Sequence, residues 1–283
     1  MKGNSIKVYT AESAMKYPGR LMRSMIRDLW DSRSLAYGLM KRDISALYRQ
    51  SFFGFLWAFI PALLTALTFS LASKNRILNV GATDIPYAAY VMLSVTLWQT
   101  FSEAVLGPVN GLAASRSFIT KINFPREALF MAKFGEAIFN FLIKCVLITG
   151  IFIFYRIVPS PFIFVALAVV LAMIVLGQSI GLLLAPLGMI YQDFTKGLPL
   201  VLGLGMFITP VVYPMPAGGT LVGEIVRMNP LTYLISVIRD LSIYGGTSYG
   251  TEVIVVIASS IILFIIAWVV FRLSIPYVIE RCP

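Results

Sequence analysis

The chain has 283 residues, of which 58% are hydrophobic and only 13% are charged. A soluble domain of this length carries about a quarter charged residues, so the surplus of apolar side chains predicts contact with lipid. The net charge of +10 is typical of a membrane protein with basic cytoplasmic loops, and we therefore expect no nucleic-acid partner.

The composition also excludes several kinds of catalytic and metal site. The chain has no histidine, the commonest general base and metal ligand. Its two cysteines, Cys145 and Cys282, are too far apart in sequence to form a CxxC motif. No Gly-Lys dipeptide occurs, so there is no Walker A loop to bind ATP. We expect no catalytic residue, metal or cofactor in this chain, and any ATP-driven work requires another polypeptide.

The first 50 residues predict a cytoplasmic segment, 1–50, that contains an amphipathic helix on the membrane surface. They lack the compact apolar core of a cleavable signal peptide. Apolar residues recur instead at helical spacing among basic residues. These apolar residues are Met22, Met25, Ile26 and Leu29, followed by Ala36, Met40, Ile44 and Leu47. A helix packed in the cytosol is the alternative interpretation.

Residues 51–283 predict one domain of six transmembrane helices, so the predicted fold class is an all-α integral membrane protein. A spanning helix needs roughly 20 mostly apolar residues. The predicted spans are about 52–72, 86–107, 128–155, 161–187, 198–213 and 253–271. The segment after the fifth is too rich in proline and glycine to continue as a lipid-exposed helix.

The stretch 221–241 decides whether the number of spans is even. It is moderately apolar, but Asn229-Pro230 interrupts it and four charged residues lie within it. We interpret it as short re-entrant helices, because a seventh span would place the C-terminus on the opposite side. With six spans, most of the 23 Lys and Arg residues fall on one side, which predicts that both termini are cytoplasmic.

Three polar residues lie within the third predicted span. Glu136, Asn140 and Lys144 are spaced i, i+4 and i+8, so they share one helix face. Ionisable groups are costly in lipid and face a bundle interior or a water-filled cavity. The stripe predicts either a lining for a substrate path or gate, or a structural contact with Glu103 or a neighbouring subunit. The structural interpretation is the one that the residues favour.

Aromatic residues surround the first predicted span, among them Phe55, Trp57 and Phe59. Aromatic side chains at the end of a span are usually anchors at the membrane interface. They also suit a path for sugars, whose CH faces pack on aromatic rings. The residue pattern alone leaves both interpretations open.

Several short motifs follow one another in a fixed order. They are RDISALYRQS at 42–51, FGFLWA at 53–58, INFPR at 122–126, YQDF at 191–194, TPVVYP at 209–214 and NPL at 229–231. In this order they resemble the permeases of type-2 ABC exporters that move polysaccharides, and O-antigen export permeases most closely. Capsule and teichoic-acid exporters are near relatives and remain alternatives.

The resemblance implies a bacterial inner-membrane complex in which two copies of this permease pair with two ABC ATP-binding subunits. ATP and Mg would be bound by those subunits. The loop between spans two and three would form a coupling helix on the ATPase. Its candidate residues are Arg116, Lys121, Phe124, Pro125 and Arg126.

The implied substrate is a glycan on a lipid pyrophosphate, surrounded by membrane lipids. The aromatic path would include Phe55, Trp57, Phe59, Phe207 and Tyr213. At the cytoplasmic entrance, Lys41, Arg42 and Arg49 would bind the pyrophosphate or, alternatively, anionic lipid head groups. The outer gate would contain Pro214, Pro216, Asn229 and Pro230.

Two other classes are weaker, and an ABC permease for a drug or small lipid remains the nearest alternative. A secondary transporter predicts inverted repeats, and no convincing repeat is visible. A membrane enzyme needs clustered acids, histidine or cysteine at an interface. An ABC permease for a drug or small lipid would differ in the size and aromatic lining of its path. The sequence does not identify the sugars or the anchoring lipid.

Overall fold

The computed structural model describes residues 18–49, 54–75, 83, 85–116, 125–216 and 219–280. Within these ranges every regular element is helical, which confirms the all-α prediction. The predicted segments also include residues 1–17, 52, 53 and 281–283, with Cys282, which lie outside the described ranges.

Ten α-helices account for most of the described chain. They are α1 (Pro18–Asp31), α2 (Arg33–Arg49), α3 (Ile60–Lys74), α4 (Tyr87–Ala114), α5 (Glu127–Phe154), α6 (Ile163–Ile190), α7 (Gln192–Gly205), α8 (Leu221–Met228), α9 (Pro230–Ile243) and α10 (Gly250–Glu280). Two short 3-10 helices adjoin them: Gly54–Ala58 precedes α3, and Met206–Ile208 continues α7.

Helices α5, α6 and α10 are each long and apolar enough to cross a membrane. Helices α8 and α9 meet the same criterion only as a pair, and they are bent by 80° at the break between them. Helix α3 is apolar but has only 15 residues. The described chain therefore contains three such helices, or four if the bent pair is one span. Six spans remain a prediction.

Several helix boundaries differ from the predicted spans, and α4 and α10 extend to Ala114 and Glu280, beyond the predicted ends at 107 and 271. Helix α3 begins at Ile60, with Pro61 in its first turn, where a missing N–H costs no helical hydrogen bond. Helix α7 begins at Gln192 and ends at Gly205, so it starts and ends earlier than the predicted fifth span at 198–213. Pro199 lies inside α7, and the proline-rich segment that follows Met206–Ile208 is irregular.

Helices α4 and α6 form the centre of the bundle. Their backbones approach closely because glycines of α6 face α4. A Cβ atom on Gly177 would lie 3.0 Å from the carbonyl oxygen of Phe101, and one on Gly188 would lie 2.6 Å from a methyl carbon of Val109. Gly181 faces the carbonyl oxygen of Val105 in the same way. Helix α10 packs on α6, and α5 packs on α4.

A smaller apolar cluster joins α1 to α5, α6 and α10. Met25 of α1 is fully buried there. Phe130 packs edge-on against Trp268 and Phe271, at ring-centroid distances of 5.8 and 6.2 Å. Trp30, on the same helix as Met25, is exposed. One face of α1 thus contacts the bundle and another does not, and its placement on a membrane surface remains a prediction.

Candidate functional site

The predicted polar stripe on α5 divides into two groups. Lys144 is 1% exposed, and its Nζ donates to Oε1 of Glu103 on α4 at 2.6 Å. This ion pair joins α5 to α4, a contact that the sequence offered as one of two interpretations of the stripe. Lys144 is buried and the Glu103 side chain is 40% exposed, so the buried ammonium is compensated by a carboxylate that reaches the surface.

Glu136 belongs to a second network, which joins α2 to α5. Lys133 lies 2.7 Å from Glu136 and 2.9 Å from Asp43 of α2. Asp43 also pairs with Arg42. Burial alone raises the pKa of Asp43, but the hydrogen bonds and charges of Lys133 and Arg42 outweigh it and hold the pKa below its ordinary value. The network fixes α2 against the bundle.

The proposed entrance cations share the exposed surface of α2. Lys41 and Arg49 are exposed, and Arg49 is the last residue of the helix. The side chain of Arg42 is 57% exposed and pairs with Asp43. These positions permit contact with an anion from outside the bundle, whether a pyrophosphate or a lipid head group.

A cleft of about 290 Å³ lies between α2, the 3-10 helix Gly54–Ala58, α4 and α5. Gly54 has a φ of +50°, a left-handed conformation that favours glycine and lets the chain turn into this short helix. Trp57 follows on the same turn. The lining residues are Leu47, Gly54, Trp57, Ala58, Glu103, Asn140 and Lys144.

The predicted aromatic path is only partly assembled within one chain. Trp57 and Lys144 both line this cleft. Phe55 is exposed on the same 3-10 helix, and Phe59 follows it. At the far end of α7, the hydroxyl of Tyr213 donates to the carbonyl oxygen of Phe207 at 2.8 Å. The structure therefore brings Phe207 and Tyr213 together, whereas Trp57 is grouped with polar residues of α4 and α5.

Of the proposed coupling residues, Lys121 and Phe124 lie outside the described residues. Arg116 lies just beyond the end of α4, and Pro125 and Arg126 directly precede α5. These three mark the two ends of the connection between α4 and α5.

A charged cluster beside this connection was not predicted. Arg272 of α10 pairs with Glu127, the first residue of α5. It also donates to Asp28 of α1 at 2.6 Å and to Ser24 at 3.2 Å. Arg272 thus joins three helices that are distant in sequence. A basic residue at the end of an apolar segment was visible in the sequence, but its partners were not.

The proposed outer-gate residues surround the bend between α8 and α9. The Asn229 side chain accepts from the N–H of Leu231 at 3.0 Å, which caps α9, and donates to the Thr209 hydroxyl at 2.8 Å. Pro230 occupies the first turn of α9. Pro214 and Pro216 are half-buried in the irregular segment after α7. Asn229 therefore links the bend to that segment.

Two tyrosines of α4 form hydrogen bonds with the irregular segment 209–213. The sequence did not predict a role for either of them. The Tyr87 hydroxyl donates to the carbonyl oxygen of Val212 at 2.7 Å, and the Tyr90 hydroxyl donates to that of Tyr213 at 2.9 Å. The guanidinium of Arg239, on α9, lies 4.2 Å from the centre of the Tyr90 ring. A charged residue in the apolar stretch 221–241 was the available sequence signal.

Comparison with known proteins bears on this arrangement. Residues 35–243, from α2 to the end of α9, match the ABC-2 type transporter family. The chain belongs to this family. As an ABC-2 type transporter it is a multi-pass membrane subunit, and the family implies a partner that carries the ABC ATP-binding site.

The named relatives are similar over most of their length. An O-antigen export system permease protein RfbA from Myxococcus xanthus is 27% identical over 220 residues, covering 76% of this chain and 82% of the relative. Two proteins of that name from Klebsiella pneumoniae are each 22% identical over 213 residues, covering 75% of this chain and 81% of the relative. The resemblance to type-2 ABC permeases is confirmed.

Proposed function

We propose that this ABC-2 permease exports a lipid-linked polysaccharide of the O-antigen type from the cytoplasm across the bacterial inner membrane. The observation that carries the proposal is the similarity to O-antigen export permeases over three quarters of the chain. Two permease copies form a homodimer and assemble with two ATP-binding subunits, which hold ATP and Mg. The chain itself performs no catalysis.

The proposed topology has six spans with both termini in the cytoplasm. Helices α3, α4, α5, α6, α7 and α10 supply the spans, and α8 and α9 re-enter the membrane from outside. The 80° bend between α8 and α9 supports a re-entrant pair. The basic residues of α1 and α2 then lie on the cytoplasmic side, as the positive-inside rule requires.

The proposed coupling route begins at the connection between α4 and α5, where the ATPase would make contact. Arg272 supports this route because its ion pair with Glu127 ties the first residue of α5 to α10, and its pair with Asp28 ties both to α1. A displacement of the connection would therefore move several helices together. The glycan would pass the aromatic residues Trp57, Phe207 and Tyr213 and leave through the gate around Asn229.

Deletion and complementation in the native host test the proposal. Deleting the gene should abolish the surface polysaccharide and leave lipid-linked glycan inside the cell, and the wild-type gene should restore export. Affinity purification of the restored protein should recover a P-loop ATPase in equal amount.

Two outcomes would contradict the proposal. Normal surface polysaccharide of the O-antigen type after deletion would point to another cargo, such as a capsule, a teichoic acid or a smaller lipid. Recovery without an ATPase, in a detergent that preserves a known ABC complex, would point to a secondary transporter. An Arg126→Ala variant that inserts normally but exports no glycan would support the coupling assignment, and normal export by that variant would contradict it.

A further inference from the structure

The cleft between α2, α4 and α5 combines a carboxylate, an ammonium, an amide and an aromatic ring. Glu103 lies 11 residues before the end of α4, or about 16 Å along the helix. Its cleft partners Asn140 and Lys144 come from α5, and Trp57 comes from the short helix before α3. Trp57 is 54% exposed and lines the cleft.

The ion pair in this cleft uses only one of the two carboxylate oxygens of Glu103. Lys144 donates to Oε1 of Glu103. Within the described part of the chain, the second oxygen, Oε2, is shielded from solvent and has no hydrogen-bond partner. A buried acceptor in this condition is destabilising, and a hydroxyl donor that reaches it removes the penalty. The cleft therefore favours an occupant that brings hydrogen-bond donors.

The remaining lining specifies the chemistry further. An aromatic face binds the CH surface of a sugar ring, and an amide such as that of Asn140 both donates to and accepts from hydroxyls. The cavity of about 290 Å³ is near the lower end of the range of about 300–1,000 Å³ for ligand pockets, which suits a short section of a glycan. Each of these properties matches a neutral, hydroxylated ligand.

We propose that this cleft is a glycan-binding subsite, in which Trp57 stacks on a sugar ring while Glu103 and Asn140 bind its hydroxyls. Lys144 is a positioning residue that holds the carboxylate of Glu103. The inference rests on the proposed export of a polysaccharide and assigns it a contact that uses polar side chains as well as aromatic rings.

The charge balance distinguishes this subsite from a pyrophosphate site. Lys144 is already paired with Glu103, so the two side chains together carry no net charge. A phosphate group placed in the cleft would face the carboxylate of Glu103 and would be repelled by it. The exposed cations of α2 are better suited to the pyrophosphate, which leaves the cleft to the sugars.

Saturation-transfer NMR on the permease–ATPase complex in lipid nanodiscs tests the proposal. The probe is the surface polysaccharide of the native host, freed of its lipid by mild acid hydrolysis. We expect the wild-type complex to transfer saturation to this glycan. Trp57→Ala and Asn140→Ala should each weaken binding by about five- to tenfold, the effect of losing one stacking contact or one hydrogen-bonding group. Neither variant removes a member of the Lys144–Glu103 ion pair, so both should assemble.

Matched variants outside the cleft are the controls. Trp30→Ala removes an exposed tryptophan of α1, and Asn110→Ala removes an exposed asparagine of α4. Neither should change glycan binding. Loss of binding in all four variants would overturn the assignment to this cleft.

Other results would also overturn the subsite. These are no saturation transfer to the glycan in the wild-type complex, unchanged binding in Trp57→Ala and Asn140→Ala, or displacement of the glycan by inorganic pyrophosphate in competition at the cleft. With unchanged binding, water would be the partner of Glu103. If one of these results is obtained while the gene still restores surface polysaccharide to the deletion strain, the subsite is wrong and the proposed function is retained. The proposed function fails if the gene does not restore it, whatever the NMR shows.

Discussion

The two ends of the helical bundle are held together by different chemistry. At one end, Arg272 forms ion pairs with Asp28 and Glu127, and Lys133 pairs with Asp43 and Glu136. At the other end, tyrosine hydroxyls of α4 donate to main-chain carbonyl oxygens of the irregular segment 209–213, and Arg239 stacks on Tyr90.

The difference indicates how each end of the bundle responds when one of its helices is displaced. An ion pair that is largely buried holds its helices in one arrangement, because losing either partner leaves an uncompensated charge. A hydroxyl-to-carbonyl bond is worth about 1 kcal/mol, and the hydroxyl can exchange one carbonyl for another or for water. The first end is therefore suited to transmit a displacement, and the second to rearrange.

Removing Arg272 should have the largest effect. In Arg272→Ala, the carboxylates of Asp28 and Glu127 lose their shared cation, so we expect a loss of about 3–5 kcal/mol in stability. Arg272→Lys keeps the charge but not the fork of donors, and should recover only part of the loss. Thermal unfolding followed by size-exclusion chromatography measures both variants. Arg227→Ala, at an exposed position of α8, is the control. An unfolding temperature equal to that of the wild type would show that the cluster does not clamp the helices.

Removing the tyrosine hydroxyls should have a smaller effect. Tyr87→Phe and Tyr90→Phe each delete one donor to the segment 209–213, and we expect a loss of about 1 kcal/mol from each. Export should change more than stability, because the segment belongs to the proposed gate. Unfolding temperatures and the rate of glycan appearance at the surface provide the comparison. Tyr277→Phe, on the exposed surface of α10, serves as the control. Losses as large as that of Arg272→Ala would remove the contrast between the two ends.

Asp43→Asn should have the smallest effect, about 1 kcal/mol or less, since Lys133 keeps Glu136 as a partner. The folded-state pKa of Asp43 is depressed, so its contribution is complete above the ordinary pKa of about 4 and is lost as pH falls through the folded-state pKa. Unfolding temperatures of wild type and Asp43→Asn should therefore converge as the pH drops below about 4. A gap that stays constant down to pH 3 would show that Asp43 acts through packing instead of charge.

The helical fold could be predicted from the sequence because the length of an apolar segment and the positions of its prolines are local properties. The bend between α8 and α9 follows from Asn229 and Pro230, residue types that are favoured at the N-cap and at the first position of a helix. The start of α7 at Gln192 was less accessible, since polar residues before Leu198 gave no sign that the helix extends into them.

The candidate site was readable only in part. The spacing of Asn140 and Lys144 placed both on one helix face, and the cleft brings them to Trp57. The partners of Arg272 could not be predicted, because Asp28 lies 244 residues away and any of several acids was available. The same applies to Tyr90 and its acceptor at Tyr213, 123 residues away. Such pairs are set by how helices pack, which no local pattern encodes.

The glycine contacts between α4 and α6 determine whether water and ions can pass between these two helices. At Gly177, Gly181 and Gly188 the surfaces of the two helices meet with too little space for one added methyl group. Water and hydrated ions cannot enter so narrow a contact, and neither can a chain of sugars. The seam between these helices is thus closed in this structure. Under the proposed function, a polysaccharide would therefore pass along other faces of the bundle.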